Sequence, residues 1–386
     1  MEVWLIWSLW LSFLMIVLVT VGYPVLIAIA GSLVRRRRVV DAGEPTVTLI
    51  IAAHNEERCL ARKLENALAL DYPRERLEII VASDGSTDRT HEIARTFADR
   101  GVVLHAFQRI GKTGMQNQMA KRAKSEILVF SDANAMYRPD AIRKLVRNFA
   151  DPQVACASGQ LVYEVDAHSA GDGENSYWDY EKFLKRCESD RSSIIGANGS
   201  IYAVRRSDYV EIDNDLISDL VEPLALVRQG KRVVYEPEAV SIEEAAGTYE
   251  VEFRRKVRIL TRSIKGLLHM RALLNPFRFG FFAFQLIIHK LFRYLVPLFL
   301  VVGLASLTGL AAIGRYRGPF LLAALALAAA TAVGRGMQPS RSNPLVRACH
   351  LLYYYLLVNY ALIPAWINIF RGAGVTVWVP ERKEAA

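Results

Sequence analysis

Three short acidic motifs punctuate this chain: Ser83-Asp84-Gly85-Ser86, Phe130-Ser131-Asp132-Ala133-Asn134 and Ile217-Ser218-Asp219-Leu220. Each falls where an apolar, β-branched run gives way to a polar turn, the place where an α/β sheet presents ligand-binding groups. Carboxylates there can accept hydrogen bonds from hydroxyl or imide groups, ligate a hard cation or take a proton. Lys112, in Gly111-Lys112-Thr113-Gly114, is expected in a loop whose two glycines let the backbone approach a diphosphate. Further on comes the basic run Arg254-Arg255-Lys256-Val257-Arg258. The plainer alternatives are structural: Asp84 closing a turn, Asn134 in an Asx turn, Asp219 capping a helix, Lys112 solvated, and the arginines lying on a membrane-surface helix.

The elements around these motifs alternate. Val47–Ala52 reads as a buried strand, Glu56–Leu70 as a helix, Leu77–Ala82 as a strand and Asp88–Arg100 as a helix, with further strands at Val102–Ala106 and Ile127–Phe130. Such alternation predicts a mainly parallel sheet with helices on both faces. The first loop reads His54-Asn55-Glu56-Glu57, which excludes a glycine-rich dinucleotide fingerprint and a Walker motif. Gly171-Asp172-Gly173 reads as a mobile loop. Cys59, Cys156, Cys187 and Cys349 are far apart and lack metal-like spacing, so they read as packing thiols.

Of the 386 residues, 52% are hydrophobic and the net charge is +9, too apolar for an ordinary soluble protein and too charged for one wholly in membrane. No charged residue occurs from Val3 to Val34, a helix longer than the roughly 30 Å hydrocarbon core, so tilt or a kink at Gly22-Tyr23-Pro24 is expected. Glu2 and the length of the run speak against a cleaved signal peptide. Arg35-Arg36-Arg37-Arg38 then places the chain downstream of it in the cytosol by the positive-inside rule. No nucleic-acid module accompanies the basic charge. Apolar character returns at Leu291–Ile313, Pro319–Val333 and Ala348–Phe370, after an amphipathic stretch at Phe253–Phe284. Arg335, Arg341 and Arg347 favour a cytosolic loop and Arg371, Arg382 and Lys383 a cytosolic tail, preferences that conflict if the last span crosses fully. The predicted organisation is an N-terminal span (1–34), a cytosolic α/β domain (45–260), interfacial helices (261–290), C-terminal spans (291–371) and a tail (372–386).

The ordered set of motifs over residues 45–260 resembles the family 2 glycosyltransferases, membrane-bound polysaccharide synthases among them. The resemblance implies a GT-A fold and an inverting transferase that takes a sugar from a nucleotide-diphosphate donor, usually a UDP-sugar, with Mg²⁺ or Mn²⁺. Asp84 then matches the carboxylate that holds the nucleoside, with Asn55 and Glu56 on the neighbouring loop. Lys112 reaches the donor phosphates. Asp132 and Asn134 occupy the DxD metal motif, Asn134 bringing an oxygen but no charge. Gly196, Asn198 and Gly199 match the pocket near donor sugar and acceptor, with Tyr180 as a stacking platform beside Tyr177 and Trp178. Asp219 stands at the base-carrying ED motif, Ser218 replacing its acidic neighbour. Arg255 and Arg258 fall on the QxxRW motif of processive relatives, Ile259 replacing the Trp. The implied acceptor is a growing polysaccharide or a lipid-linked saccharide, with a non-processive transferase to a polyisoprenyl or other lipid as the alternative. Partners in polysaccharide synthesis or export are conceivable on this reading, and a silent nucleotide-binding scaffold is the reading outside enzymes.

Overall fold

The computed structural model describes residues 1–33, 39–41, 43–164, 171–244, 249–336 and 343–372. Arg35 to Arg38, Arg341, Arg382 and Lys383 lie outside these residues, as do the side chains of Tyr177, Trp178 and Arg347. Helix α1 (Glu2–Val17) continues through a π-helical turn (Leu18–Gly22) into α2 (Tyr23–Leu33). That turn lies just before the expected kink at Pro24, and it admits one extra residue without breaking the helix.

The central region then runs in the order β1 (Val47–Ala53), α3 (Leu60–Leu68), β2 (Leu77–Asp84), α4 (Thr90–Thr96), β3 (Val102–Phe107), α5 (Gly111–Arg122), β4 (Ile127–Asp132), β5 (Met136–Tyr137), α6 (Ala141–Val146), β6 (Val154–Glu164), α7 (Gly171–Arg191), β7 (Ile201–Arg205), α8 (Ser218–Arg228) and β8 (Arg232–Glu244). All eight strands join one sheet in the order β3-β2-β1-β4-β7-β6-β8-β5. The run β3-β2-β1-β4 is parallel, as expected. Beyond β4 the sheet turns mixed, because β7 pairs antiparallel with both β4 and β6. The parallel half carries its strand ends, and the motifs on them, to a single edge.

Burial explains the strength of the β1 signal. Val47, Leu49, Ile50 and Ile51 are each at most 1% exposed, contacting cores on both sheet faces. Burial of such side chains contributes roughly 1.5–3 kcal/mol each. The one hydroxyl among them is satisfied: Thr48 Oγ1 lies 2.8 Å from both the Glu78 carboxylate and Ser125 Oγ.

Two helices differ from the sequence-based expectation for local reasons. Helix α3 starts at Leu60 rather than at Glu56, because Asn55 sits at φ 53° and its loop is tied to the loop after β2. Asn55 Oδ1 accepts from Thr87 N at 2.8 Å, and Glu57 N donates to Asp88 at 3.0 Å. Gly171-Asp172-Gly173 opens the 21-residue helix α7 instead of forming a loop.

After β8 come α9 (Tyr249–His269), α10 (Pro276–Leu286), a second π-helical turn (Ile287–Phe292), α11 (Val296–Ala312), α12 (Arg317–Gly336) and α13 (Pro344–Phe370). Helix α9 runs unbroken across residue 260, so the expected domain boundary falls inside a helix, and the expected Phe253–Phe284 stretch is two helices. Among the described residues, Glu2–Leu33 and Ala348–Phe370 are long and apolar enough to cross a membrane. Pro276–Phe292 and Val296–Ala312 pass the same test only together and are bent by 58°, and Arg317–Val333 is a shorter apolar helix.

Small residues join α1 to α11: a Cβ on Gly309 would lie 3.1 Å from Leu5, and Ser8 and Ser306 share a 2.7 Å hydroxyl bond. Helix α2 instead packs on α7, with Tyr23 and Ile27 buried against Leu184. Tyr23 Oη donates to Glu188 at 2.5 Å, and His289 Nδ1 bonds the same carboxylate oxygen at 2.6 Å. The charge-free N-terminal run is therefore divided, its last third serving as a joint with the α/β domain.

Candidate active site

Most of the groups named from sequence converge near the carboxyl end of β4. Asp132 ends that strand, and the turn after it exposes Asn134. Lys112 is in the first turn of α5, which begins at Gly111, so the loop expected around it is a helix start. Its ammonium donates to Asp132 Oδ1 and, at 3.0 Å, to Gly199 O. A Cβ on Gly199 would lie 2.8 Å from Asp219 Oδ2 and 3.3 Å from Lys112 Nζ. A side chain there would intrude on Lys112 and the Asp219 carboxylate, which accounts for glycine at this position.

Asp219 lies in the first turn of α8, but it is not the cap. That position is Ile217, and no side chain caps the helix. Asp219 Oδ1 is shielded from solvent and has no hydrogen-bond partner among the described residues. Burial raises its pKa above the usual 3.8, against the lowering pull of Lys112, Arg262 and Lys185. A carboxylate with an open oxygen and a raised pKa has the attributes of a proton acceptor.

The Gly196–Ser200 segment lines the same cavity and is tightly held. Ala197 N donates to Asp219 O at 2.7 Å, and Asn198 N to Ser158 Oγ at 2.9 Å. Asn198 also receives Lys185 Nζ at 2.5 Å. Lys185 belongs to a face of α7 with Glu181 and Glu188, three groups one turn apart.

One cavity of about 880 Å³ joins these groups. Lys112, Asp132, Asn134, Tyr180, Gly196, Asn198, Gly199 and Asp219 line it, as do Glu56, Arg255, Arg258 and Ile259. Arg255 pairs with Glu252 at 3.1 Å and donates to Tyr163 Oη at 3.0 Å. Tyr180 belongs to the small apolar cluster around Tyr23 and does not stand as an isolated platform.

Asp84 and Asn55 do not line this cavity. Asp84 is fully buried, with Oδ1 accepting from Ile110 N at 2.7 Å and Gly111 N at 3.0 Å. The carboxylate expected to face a nucleoside thus fastens the start of α5, and with it Lys112. Its replacement in Asp84→Ala should cost about 1–3 kcal/mol, because two buried donors lose their acceptor. Chemical denaturation measures this, and unchanged stability would return Asp84 to a ligand-facing role.

Glu243, at the end of β8, is a cavity residue that motif reading did not single out. Met136 pairs with Ile242, which sets Glu243 beside the turn that carries Asn134. Burial pushes its carboxyl up to about 7, reinforced by Asp132 and opposed by Arg255. Strand pairing with β5 and β6, distant in sequence, brings it there, so no local signal could have found it.

The oxygens of Asp132 and Asn134 suit a hard divalent cation. Both open on the cavity, and among the described residues no cluster of three His, Cys, Asp or Glu forms a closed cage. The pair fits an ion shared with a ligand's own oxygens.

The chain also matches known proteins. The family described as glycosyl transferase family 2 fits residues 48–211, which carry the parallel strands, Lys112, Asp132 and the Gly199 segment. Residues 48–211 are a family 2 glycosyltransferase domain. The mannosyltransferase PcManGT of Pyrobaculum calidifontis, solved with GDP-Man and Mn²⁺, superposes with a TM-score of 0.69 at 22% identity, covering 95% of this chain and 99% of that one. The GT-A fold is therefore shared. The poly-beta-1,6-N-acetyl-D-glucosamine synthase of Staphylococcus aureus (strain COL) is 26% identical over 202 residues, 50% of this chain and 48% of that protein. A beta-monoglucosyldiacylglycerol synthase of Synechocystis sp. is 33% identical over 113 residues, 28% and 24% of the two chains. The chain thus spans about half the length, or less, of these curated relatives.

Proposed function

We propose that this chain is an inverting glycosyltransferase that moves a sugar from a nucleoside-diphosphate donor, a UDP-sugar by family habit, to a lipid-linked acceptor at the cytosolic membrane surface. The observation that carries the reading is the single cavity. It runs from Asp132, Lys112 and Asp219 to Ile16 and Val19 of the N-terminal helix and Leu351 and Val358 of α13. A polar reacting end continuous with apolar helices suits an acceptor that is itself amphiphilic. The names of two relatives, one a polysaccharide synthase and one a glucosyl-lipid synthase, agree with transfer at a membrane.

Lys112 and Arg258 would hold the donor diphosphate, with Arg255 beside them. Gly196, Asn198 and Gly199 would let the backbone close on the sugar. Asp219 would take the proton of the acceptor hydroxyl as its oxygen attacks the anomeric carbon from the face opposite the diphosphate. Asp132 and Asn134 would hold Mg²⁺ or Mn²⁺, which supplies charge neutralisation for the leaving diphosphate.

A growing polysaccharide is the second reading, favoured by the Staphylococcus aureus relative. Radiolabelled nucleotide sugars, offered with Mn²⁺ to membranes carrying the full chain, separate the two. Label extracted into organic solvent with release of nucleoside diphosphate is the expected result. Label in a solvent-insoluble polymer would favour the second reading, and no nucleotide release with any donor would overturn both.

A further inference from the structure

The two ends of the cavity differ in chemistry, and the passage between them is cationic. Its apolar walls, Ile16 and Val19 on one side and Leu351 and Val358 on the other, belong to the two helices long enough to cross a membrane. The π-helical turn at Ile287–Phe292 brings Lys290 to the wall between these helices and the reacting end. Lys290 is half-buried and has no ion-pair partner among the described residues. Glu181, the carboxylate on which the Lys290 charge acts, already holds Arg293 and faces His289. Lys185, on the same α7 face, adds a second positive charge. An ammonium withdrawn from water beside apolar helices is costly unless an anion meets it.

Asp219 restricts that anion's role. A phosphate oxygen is already ionised near neutral pH and needs no base, whereas a hydroxyl does. The nucleophile and the anion that meets Lys290 are then different groups of one molecule. We propose that the acceptor is a phosphate-bearing lipid alcohol, with its chains between α1 and α13, its phosphate on Lys290 and a hydroxyl reaching Asp219. This rests on the transferase reading above. In the reaction the hydroxyl oxygen bonds to the anomeric carbon, and the bond from that carbon to the donor diphosphate breaks. The electron pair leaves on the diphosphate and the hydroxyl proton passes to the Asp219 carboxylate.

The test is calorimetric titration of the full chain in neutral detergent with three probes, in the absence of any donor. Dihexanoylphosphatidylglycerol carries chains, phosphate and hydroxyl; dihexanoylglycerol lacks the phosphate; glycerol 1-phosphate lacks the chains. The phosphatidylglycerol is expected to bind about tenfold or more tightly than either fragment. That advantage over dihexanoylglycerol should vanish in Lys290→Gln and persist in Lys290→Arg, with melting temperatures reporting the fold of each variant. Equal affinity for the two lipids, or an advantage undiminished in folded Lys290→Gln, would overturn the phosphate contact. Glycerol 1-phosphate binding as tightly as the lipid would overturn the lipid assignment. If Lys290→Gln does not fold, the three-probe comparison on the unmodified chain still decides. Failure of the transferase reading shows elsewhere, as absent nucleotide release.

Discussion

Asp219→Asn is expected to lower sugar transfer by roughly 10²- to 10⁴-fold, the usual contribution of a positioned general base. The substitution keeps the shape of the side chain beside Gly199 and removes its basicity. Nucleotide affinity should change far less, since the group lies across Gly199 from Lys112. The pH dependence carries a second signature. The base works only when deprotonated, and burial holds its pKa above 3.8. Transfer by the unmodified protein should therefore fall as pH drops through that raised value, and the residual rate of Asp219→Asn should lose this acidic limb. Steady-state rates against pH decide the matter. A variant with normal turnover and lowered stability would make Asp219 a structural residue only.

The second large effect is expected at Asp132. This carboxylate pairs with Lys112 while opening on the cavity, so Asp132→Asn removes the negative charge from the metal motif and breaks the lysine's ion pair together. Transfer should fall by about 10²-fold or more, because neutralisation of the leaving diphosphate is lost. Mn²⁺ binding in the presence of UDP, monitored by electron paramagnetic resonance, should weaken in parallel. Asn134→Asp should tighten it, since a second charge joins the site. Full activity of the unmodified protein in excess chelator would remove the metal from the reading.

Much of this architecture was legible because it is local. The apolar run of β1 and the acidic turns after β2 and β4 are written in consecutive residues, and they fall as expected. The features that were not legible depend on partners distant in sequence. Asp84 reads the same whether its carboxylate faces a nucleoside or fastens Ile110 and Gly111, which lie 26 and 27 residues away. Glu243 joins the site through pairing of β8 with the short β5 and with β6. The helical start of α7 has the same cause, since glycines that favour a loop in isolation are overridden further along by packing of Leu184 against α2.

On the proposed membrane reading, the joint between α2 and α7 would act as a depth gauge. With Glu2–Gly22 as the embedded part, about 21 residues rise about 32 Å, close to the hydrocarbon thickness. Because Tyr23 is fastened to Glu188 immediately beyond, the length of α1 sets how far the mouth of the cavity stands from the lipid headgroups. One residue more or fewer in α1 would also rotate Tyr23 by about 100°, away from its carboxylate partner. Lipids of different chain length would then act on this protein through the height of its reaction centre, without any change in the residues that perform the chemistry.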